Sequence, residues 1–257
     1  MTDTVLITGA TAGIGAEFAQ QYAARGAALV LVARSTQTLD TSAQQLRSRW
    51  GVDVETLPAN LLDDDGLAAV LDRLGSTGGS GAPTPVTVLV NNAGYGLVKP
   101  FADNVLDDEI RHLRIHLEVP LSLAHAALQG MRARGSGTII NVASVAGFTP
   151  RGTYGAVKAA MISFSRWANL TYSADGVTVT ALCPGFVHTE FHQRMGADKV
   201  TVPGVLWLDA GTVVREGLRD ADAGKAVSIP SLRYKMLAAV ARLAPAPIVA
   251  RLAKRGR

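Results

Sequence analysis

Short apolar runs alternate with amphipathic stretches over the first two thirds of the chain. The apolar runs are rich in Val, Ile and Leu and cover residues 4–8, 28–33, 86–90, 138–142 and 177–183. Between them, apolar residues follow helical spacing, as at Ile14, Phe18 and Tyr22 within residues 14–25. Strands that are apolar along their whole length are typical of parallel sheets covered by helices on both faces. The pattern therefore predicts an α/β fold.

Two weaker runs, residues 52–57 and 226–229, bring the predicted strands to seven. Right-handed crossovers then favour a doubly wound Rossmann fold with a seven-stranded parallel sheet, in a single domain over residues 1–257. The segment GSTGGSGAPTP, residues 75–85, lies between a predicted helix and a predicted strand. We interpret it as a surface loop. The alternative is a domain linker, which the continuous alternation on either side disfavours.

Composition narrows the class of protein. The 257 residues are 48% hydrophobic and include a single cysteine, Cys183, which excludes disulfide scaffolds and cysteine-rich zinc sites. No apolar run is long enough to span a bilayer, and the first ten residues predict a strand rather than a signal peptide. A formal charge of +4 with 5% aromatic residues gives little support for a nucleic-acid partner. These features predict a cytoplasmic enzyme.

A glycine-rich turn follows the first predicted strand. Gly9, Gly13 and Gly15 lie in the order Gly-x-x-x-Gly-x-Gly, and a predicted helix begins there. Glycine permits positive φ and lacks the Cβ that would block a pyrophosphate, while the helix N-terminus offers free N–H groups. The turn therefore predicts dinucleotide binding, with an ordinary tight turn as the alternative. Its spacing differs from the Gly-x-Gly-x-x-Gly fingerprint of other dehydrogenases.

The end of the second predicted strand indicates which dinucleotide binds. A carboxylate there would accept hydrogen bonds from a ribose 2′-hydroxyl, whereas a cation suits a 2′-phosphate. The sequence has Ala33 and then Arg34, with no carboxylate. It therefore predicts NADP(H). The alternative is that Arg34 is a solvated arginine at the start of a helix.

A tyrosine and a lysine share one face of a predicted helix. Tyr154 and Lys158 are four residues apart, and Ser144 follows the strand at 138–142. A free phenol has a pKa near 10, which makes it a poor acid or base at neutral pH. A neighbouring ammonium and, after hydride transfer, a cationic nicotinamide favour the phenolate, so we expect Lys158 and the nicotinamide to bring the pKa of Tyr154 toward the working pH.

These motifs together resemble the short-chain dehydrogenase/reductases, in their compact single-domain branch. The resemblance rests on TGATAGIG at residues 8–15, NNAG at 91–94, Ser144, Tyr154-x-x-x-Lys158 and Pro-Gly at 184–185, and covers about residues 4–190. It implies that Tyr154 is the acid/base, that Lys158 tunes it and holds the nicotinamide ribose, and that Ser144 binds the carbonyl. The implied cofactor-binding residues are Gly9, Thr11, Gly13, Ile14, Gly15, Arg34, Asn60, Leu61, Asn91, Ala93, Gly94, Tyr154, Lys158, Pro184, Gly185, Val187 and Thr189.

The sequence departs from the family pattern at three places. Asn60 and Leu61 stand where the family commonly has Asp-Leu or Asp-Val, and the amide can still bond the adenine edge. His116 stands where the family has a catalytic Asn that holds a water connecting the lysine to solvent. We expect His116 to replace it and to give activity an acid limb with a histidine-like pKa. The loop between Ser144 and Tyr154 is shorter than is usual, which puts their mutual placement in question.

The remaining histidines do not indicate a metal site. His112, His125, His188 and His192 lack metal-ligand spacing with a carboxylate or a cysteine, so we predict no metal and interpret them as surface or pocket-lining residues.

The last third of the chain indicates the substrate and the partners. A small substrate lobe at about 190–212 holds Phe191, Met195, Val205, Leu206 and Trp207, which predicts a lipophilic carbonyl compound. The alternative is that these side chains pack on the body of the protein. The basic, apolar tail at about 232–257 suggests weak contact with anionic lipid surfaces, against the alternative that it packs over the lobe. By resemblance, we expect a homo-oligomer formed through the helices at residues 113–131 and 154–172.

The combined prediction is an NADP(H)-dependent oxidoreductase that interconverts a ketone and a secondary alcohol. The tail, together with GAEFAQQYAARGA at residues 15–27 and ALCPGFVHTEFH at 181–192, resembles a subgroup that contains bacterial 3-oxoacyl and fatty-acyl reductases and relatives of steroid reductases, so a substrate of one of those kinds is expected. The alternative is a redox-sensing module that binds the cofactor and has little activity. His116 and the shortened loop between Ser144 and Tyr154 motivate this alternative.

Overall fold

Seven parallel strands form one sheet at the centre of the molecule. The computed structural model describes residues 2–79, 81–97, 99–189 and 203–243. The described residues contain nine strands, of which seven form this sheet. They are β1 (Thr4–Thr8), β2 (Ala28–Ala33), β3 (Val54–Pro58), β4 (Val88–Asn91), β5 (Gly137–Val142), β6 (Val177–Leu182), β7 (Phe186–Val187), β8 (Trp207–Leu208) and β9 (Val227–Ser228). The sheet order is β3-β2-β1-β4-β5-β6-β9, and β7 pairs separately with β8.

Helices connect the strands and cover both faces of the sheet. They are α1 (Gly13–Ala24), α2 (Thr36–Trp50), α3 (Asp64–Gly75), α4 (Leu106–Leu113), α5 (Val119–Ala133), α6 (Gly152–Tyr172), α7 (Ala210–Asp222) and α8 (Leu232–Leu243). A π-helical turn, Arg114–Glu118, joins α4 to α5, and a 3-10 turn, Val145–Phe148, follows β5. None of the helices in the described part of the chain is long and apolar enough to cross a membrane.

Two apolar layers hold the sheet and the helices together. On one face, Phe18 of α1, Leu39 of α2 and Leu218 of α7 are fully buried against the strands. On the other face, α3, α5 and α6 pack in the same way, with Val70 and Leu123 fully buried. Because both faces are covered, inner strands such as β1, β4 and β6 have no solvent-facing side, which accounts for the unbroken apolar runs in the sequence.

The predicted seven-stranded doubly wound sheet is confirmed, with differences at the ends of strands. The fourth strand begins at Val88 rather than at Val86, whose carbonyl accepts a hydrogen bond from the Arg134 guanidinium at 2.5 Å. The seventh strand of the sheet is only two residues long. The described residues 76–79 and 81–85 lie between α3 and β4, outside any helix or strand, and are exposed or half-buried, in agreement with the predicted surface loop.

The chain changes direction across the sheet between β1 and β4. From the middle of the sheet, β1, β2 and β3 are placed one after another toward one edge. The next strand, β4, lies on the other side of β1, with Ile7 opposite Val90. Such a switch point opens a crevice at the carboxyl ends of the two strands, where ligands of open α/β sheets bind. The loops that follow β1 and β4 therefore define the candidate site.

Candidate active site

The glycine turn after β1 has the backbone geometry that a phosphate cradle requires. Gly9 and Gly13 have φ of +65° and +54°, in the left-handed region that favours glycine. A Cβ on Gly15 would overlap the Gly9 carbonyl oxygen, so close packing of α1 on the turn also requires glycine there. The first turn of α1 has no acidic residue and no capping side chain. Its N–H groups are therefore available to an anion.

The end of β4 braces this turn. The Thr8 hydroxyl accepts hydrogen bonds from the backbone N–H groups of Asn92 and Ala93 at 2.9 and 3.0 Å. The Asn92 amide donates to the carbonyl oxygens of Thr8 and Gly9 at 2.9 and 3.2 Å. Asn92 therefore fixes the two loops of the crevice relative to each other. It was not among the predicted site residues, although it lies within the NNAG motif.

Arg34 and the loop after β3 lie at the two strand ends beyond β1. Arg34 is exposed directly after β2 and makes no hydrogen bond or ion pair with another described residue. The Asn60 amide donates to an Asp63 carboxylate oxygen at 2.8 Å and accepts from the Leu62 N–H at 3.3 Å. The Leu61 side chain is buried in the core. Asn60 thus shapes its own loop, while Arg34 is available to a ligand.

Ser144 and Tyr154 are in direct contact despite the shortened loop. The chain leaves β5 through the 3-10 turn, and α6 begins at Gly152, so that Tyr154 lies in the first turn of the helix. The Ser144 hydroxyl is hydrogen-bonded to Tyr154, and it also accepts from the Ala146 N–H at 3.1 Å. The short connection therefore still brings the two hydroxyls together.

Lys158 lies one helical turn beyond Tyr154 and is buried. Its Nζ donates to the Val142 carbonyl at 2.8 Å and lies 5.6 Å from the centroid of the Tyr154 ring. Burial lowers the pKa of Lys158 from 10.5 to about 8, because the low-dielectric surroundings disfavour its charge. The ammonium is thus held beside the tyrosine by a single described hydrogen bond.

The expected lowering of the Tyr154 pKa is wrong for the protein alone. Burial raises the pKa of Tyr154 above 10, while the Ser144 hydrogen bond and the Arg151 charge oppose this only in part. Desolvation dominates because a phenolate in an apolar site loses its hydration. Tyr154 is therefore protonated at neutral pH, the state in which a phenol can donate a proton.

His116 lies in the π-helical turn and is almost fully buried. Its Nε2 lies 2.6 Å from the Tyr95 carbonyl oxygen and 3.3 Å from the Tyr95 backbone nitrogen. The shorter contact is to an oxygen that can only accept, so we infer that Nε2 carries the proton. Its Nδ1 has no hydrogen-bond partner among the described residues. A Cβ on Gly94 would overlap the imidazole, so the glycine of NNAG makes room for this ring.

The charge state of His116 differs from the expected one. Burial, then Lys158 and then His112 hold the pKa of His116 well below 6.5. The ring is therefore neutral across the physiological range. The expected acid limb with a histidine-like pKa is corrected accordingly, because an imidazolium at this position would be desolvated and would face the Lys158 ammonium.

A small polar cavity lies between His116 and Lys158. Its volume is about 10 Å³, the room that one water molecule needs. The polar side chains in its lining are Asn91, His116, Asn141 and Lys158. Two lining residues, Asn91 and His116, each have a buried polar atom, Oδ1 and Nδ1, without a hydrogen-bond partner among the described residues. A water bound here would find acceptors and donors on several sides.

His112 is a further buried histidine at the site. Its ring centroid lies 4.5 Å from that of His116 and 6.0 Å from that of Tyr154. Neither ring nitrogen has a hydrogen-bond partner among the described residues, and burial lowers its pKa. From the sequence, His112 is predicted only to lie on the surface or to line a pocket. The signal that could have found it is its i, i+4 spacing to His116 on one helical face.

Comparison with known proteins identifies the family. The profile of the short chain dehydrogenase family matches residues 3–200. The chain belongs to this family. A short-chain dehydrogenase from Sphingobium yanoikuyae in complex with NADPH is 36% identical, with a TM-score of 0.84 and 93% of each chain covered.

Two further relatives differ in the substrates that their names give. The bulky-bulky ketone specific alcohol dehydrogenase from Comamonas testosteroni is 32% identical, with a TM-score of 0.79 over 91% of this chain and 90% of that chain. The 3-oxoacyl-(acyl-carrier-protein) reductase of Escherichia coli (strain K12) is 30% identical over 200 residues, 76% of this chain and 77% of its own length. The present protein is thus an oxidoreductase of the short-chain dehydrogenase family.

The Pro-Gly loop of this short-chain dehydrogenase is held in place by α8. A Cβ on Gly185 would overlap the ring of Tyr234, so the glycine allows α8 to approach. The Tyr234 hydroxyl accepts from the Phe186 N–H at 3.1 Å and donates to the Leu206 carbonyl at 2.7 Å. It thereby joins the Pro-Gly loop to the substrate lobe. Tyr234 was not predicted as a site residue.

Several predicted cofactor residues lie around the crevice. A Cβ on Gly13 would lie 3.1 Å from the Thr189 side chain, so the glycine turn and the Pro-Gly loop meet. Val187 is buried in β7, the Pro184 carbonyl accepts from the Val145 N–H at 3.0 Å, and Ile14 packs against the core. Thr11 lies in the same turn, between Gly9 and Gly13, and is partly exposed.

The described part of the substrate lobe is small. Residues 190–202, with Phe191 and Met195, lie outside the described residues. Trp207 stacks on His188 at 4.7 Å between ring centroids, and Val205 is exposed. In the described part of the chain, no group of three or more His, Cys, Asp or Glu side chains could hold a metal ion.

Proposed function

We propose that this protein is an NADP(H)-dependent reductase that interconverts a ketone and a secondary alcohol. The observation that carries the proposal is the contact of Ser144 with Tyr154, with Lys158 one turn away, at the carboxyl edge of the sheet. A serine, a tyrosine and a buried lysine in this arrangement suit proton transfer to a carbonyl oxygen.

The chain offers a fitting site for the dinucleotide. The glycine turn and the first turn of α1 would hold the pyrophosphate, because a Cβ at Gly15 would fill the space and the helix N–H groups are uncapped. Arg34 would pair with the 2′-phosphate of NADP(H). Lys158 would hold the nicotinamide ribose, and Val187 and Thr189 would bind the carboxamide. When bound, NADPH supplies the hydride for the carbonyl carbon.

Tyr154 supplies the proton in the direction of reduction. Its raised pKa keeps the phenol protonated at neutral pH. The Ser144 hydroxyl, already bonded to Tyr154, is placed to bind the same carbonyl oxygen, so that both hydroxyls polarise the bond as charge develops on oxygen. In the direction of oxidation, the phenolate accepts the proton of the alcohol. The buried Lys158 ammonium favours that phenolate through its charge.

His116 and the small cavity would hold a water beside Lys158, through which solvent can replace the proton that Tyr154 gives up. The water would donate to the His116 Nδ1, which has a free lone pair when Nε2 carries the proton. His116 stays neutral in this role and positions the water by accepting its hydrogen bond, as an amide oxygen would. The His-for-Asn replacement is thereby compatible with a working relay.

The substrate is proposed to be a lipophilic ketone or alcohol, such as a 3-oxoacyl, fatty-acyl or steroid-like compound. The aromatic residues of the paired strands β7 and β8, Phe186 and Trp207, lie 5.7 Å apart between ring centroids next to the Pro-Gly loop. Similarity to a bulky-ketone alcohol dehydrogenase and to a 3-oxoacyl reductase supports this class. We further propose that the protein is cytoplasmic. We also propose that it forms a homo-oligomer, because α4 and α6 expose apolar side chains such as Ile110 and Trp167.

The decisive experiment replaces the acid and leaves the cofactor site intact. Tyr154→Phe should lower NADPH oxidation with a panel of lipophilic ketones by about 10² or more, the usual size of an acid/base contribution. Its NADPH affinity should stay within a few-fold of wild type, measured by nicotinamide fluorescence. Tyr172→Phe, at the other end of α6, is the matched control.

A redox-sensing module would give a different result. It would bind NADPH with the same affinity, and it would show no turnover that depends on Tyr154 with any ketone of the panel. Turnover in Tyr154→Phe close to that of the control would likewise remove Tyr154 from the mechanism.

A further inference from the structure

The helix α8 exposes a wide apolar surface to solvent. Tyr234 and Ala238 bury one side of the helix against the body of the protein. The opposite side, which we call the α8 face, presents four large apolar side chains within nine residues: Leu232, Met236, Leu237 and Val240, each at least 50% exposed. Single exposed apolar residues are ordinary, but a group on one helical side marks an interaction surface.

The charge around the α8 face indicates what it contacts. Residues 232–257 contain seven Lys and Arg residues and no Asp or Glu. On α8 itself, Arg233 and Lys235 are exposed beside the apolar group, and Arg233 donates to the Val205 carbonyl at 2.7 Å. A twofold contact with a second copy would bring these cations together, which is unfavourable. An anionic lipid surface complements both the charge and the apolar group.

The position of α8 links this surface to the candidate active site. Tyr234 joins the helix to Phe186 and Leu206, at the Pro-Gly loop and the substrate lobe. The helix also packs on the turn Val145–Phe148, which follows Ser144 directly. A membrane against the α8 face would therefore lie next to the segments that border the substrate.

We propose that the α8 face docks this protein on an anionic lipid bilayer. The apolar side chains enter the interfacial region, and Arg233 and Lys235 pair with lipid phosphates. Delivery of a lipophilic substrate from the bilayer to the lobe follows from this geometry. That last step rests on the proposed function, whereas docking itself does not.

The test measures co-sedimentation of the full-length protein with phosphatidylcholine vesicles that contain or lack phosphatidylglycerol. Wild type should bind the anionic vesicles and bind the neutral ones far more weakly. Met236→Gln with Val240→Gln should lower the partition coefficient at least tenfold, because two apolar side chains no longer enter the interface. Lys235→Gln should lower it about fivefold on anionic vesicles and leave neutral vesicles unaffected.

Matched controls separate docking from loss of structure. Trp50→Gln replaces a large apolar side chain that is 37% exposed at the end of α2, away from the helices proposed for oligomerisation, and should leave vesicle binding unchanged. NADPH affinity, measured by fluorescence, should be unchanged in all variants, and it reports folding whether or not a ketone substrate is found. Truncation before α8 is unsuitable, because it removes Tyr234 from the lobe.

Two results would overturn the proposal. The double variant could bind anionic vesicles as well as wild type, which would mean that the α8 face does not enter the bilayer. Alternatively, the double variant could change the sedimentation coefficient in the absence of lipid while vesicle binding persists, which would assign the face to a second copy of the chain.

Discussion

Arg34 is a cation that the fold leaves available at the end of β2. A guanidinium paired with a phosphate contributes about 1.5–3 kcal/mol, roughly ten- to hundredfold in affinity. We therefore expect Arg34→Ala to weaken NADPH binding by that factor in titration calorimetry and to leave NADH nearly unchanged. Arg166→Ala, another exposed arginine, is the control. Equal losses for both cofactors would show that Arg34 does not read the 2′-phosphate.

At the residue scale, the sequence predicts which side chains meet but not their charge states. The spacing of Tyr154 and Lys158 follows from helical geometry, and the position of Ser144 follows from the end of a strand. The rise in the Tyr154 pKa and the fall in the His116 pKa come from burial. Burial depends on segments distant in the chain, such as the Tyr95 loop packed on His116, which local patterns do not contain.

At the scale of elements, the π-helical turn Arg114–Glu118 decides the behaviour of His116. π-helical turns are rare, and those that do occur are frequently found at functional sites. This one places the imidazole against Gly94 and the Tyr95 carbonyl, beside the cavity of Lys158. No apolar period in the sequence indicates such a turn, so the sequence predicts the residue and misses the geometry that keeps it neutral.

The neutral ring gives a testable pH dependence. The groups that face His116 are Lys158, His112, Tyr154 and Tyr95, and the first two lower its pKa further. Protonation therefore begins only as the pH falls well below 6.5, and kcat of wild type should show no acid limb near that value. His116→Asn should remain active with the same profile, whereas His116→Ala should lose about tenfold or more in kcat through loss of the relay.

The measurement is the pH–rate profile of kcat for ketone reduction, with the exposed His125→Asn variant as the control. An acid limb near pH 6.5 in wild type that disappears in His116→Asn would contradict a neutral, buried ring. Full activity in His116→Ala would remove His116 from the proton path.

The boundaries of elements were predicted less well than the elements themselves. The long, apolar β1, β2 and β6 stand out in the sequence because they pair on both sides or pack on both faces. β4 begins two residues later than predicted, and the Val86 carbonyl is bonded to the Arg134 side chain. β9 has only two paired residues. Such details depend on tertiary contacts that a local pattern does not specify.

At the scale of the whole molecule, one face of α4 exposes an apolar stripe, which we predict contacts another chain. Leu106, Ile110 and Leu113 follow i, i+4, i+7 spacing and are 65%, 55% and 44% exposed. We expect Ile110→Glu to shift the protein to a smaller species in sedimentation velocity, because a carboxylate would be buried in the interface. Its NADPH affinity should stay unchanged.

Asp107→Ala is the matched control on the same helix, since Asp107 is exposed and lies off the apolar stripe. The two variants should differ in sedimentation coefficient at equal protein concentration. If Ile110→Glu sediments like wild type and like the control, the α4 stripe is not a subunit interface.

The global topology follows from the sequence because seven apolar segments alternate with amphipathic ones in a fixed order. Right-handed crossovers leave few ways to arrange them, and the switch point then places the glycine turn and the NNAG segment side by side. What the sequence does not contain is the return of the C-terminal segment to the site. Tyr234 bonds Phe186, 48 residues earlier in the chain, and no pattern near either residue predicts this contact.

That contact has a consequence for the order in which the protein is completed during synthesis. The chain leaves the ribosome N-terminal end first, and a domain folds as a unit. The segments of the dinucleotide half, β1 to β5, are synthesised while Tyr234 is still untranslated. Until α8 is synthesised, the Pro-Gly loop has no Tyr234 hydroxyl to hold it. Until β9 is synthesised, β6 is an unpaired sheet edge, and such an edge can pair with another nascent chain. The substrate side of the fold is therefore completed only with the last part of the chain, after the segments that form the phosphate cradle have been made.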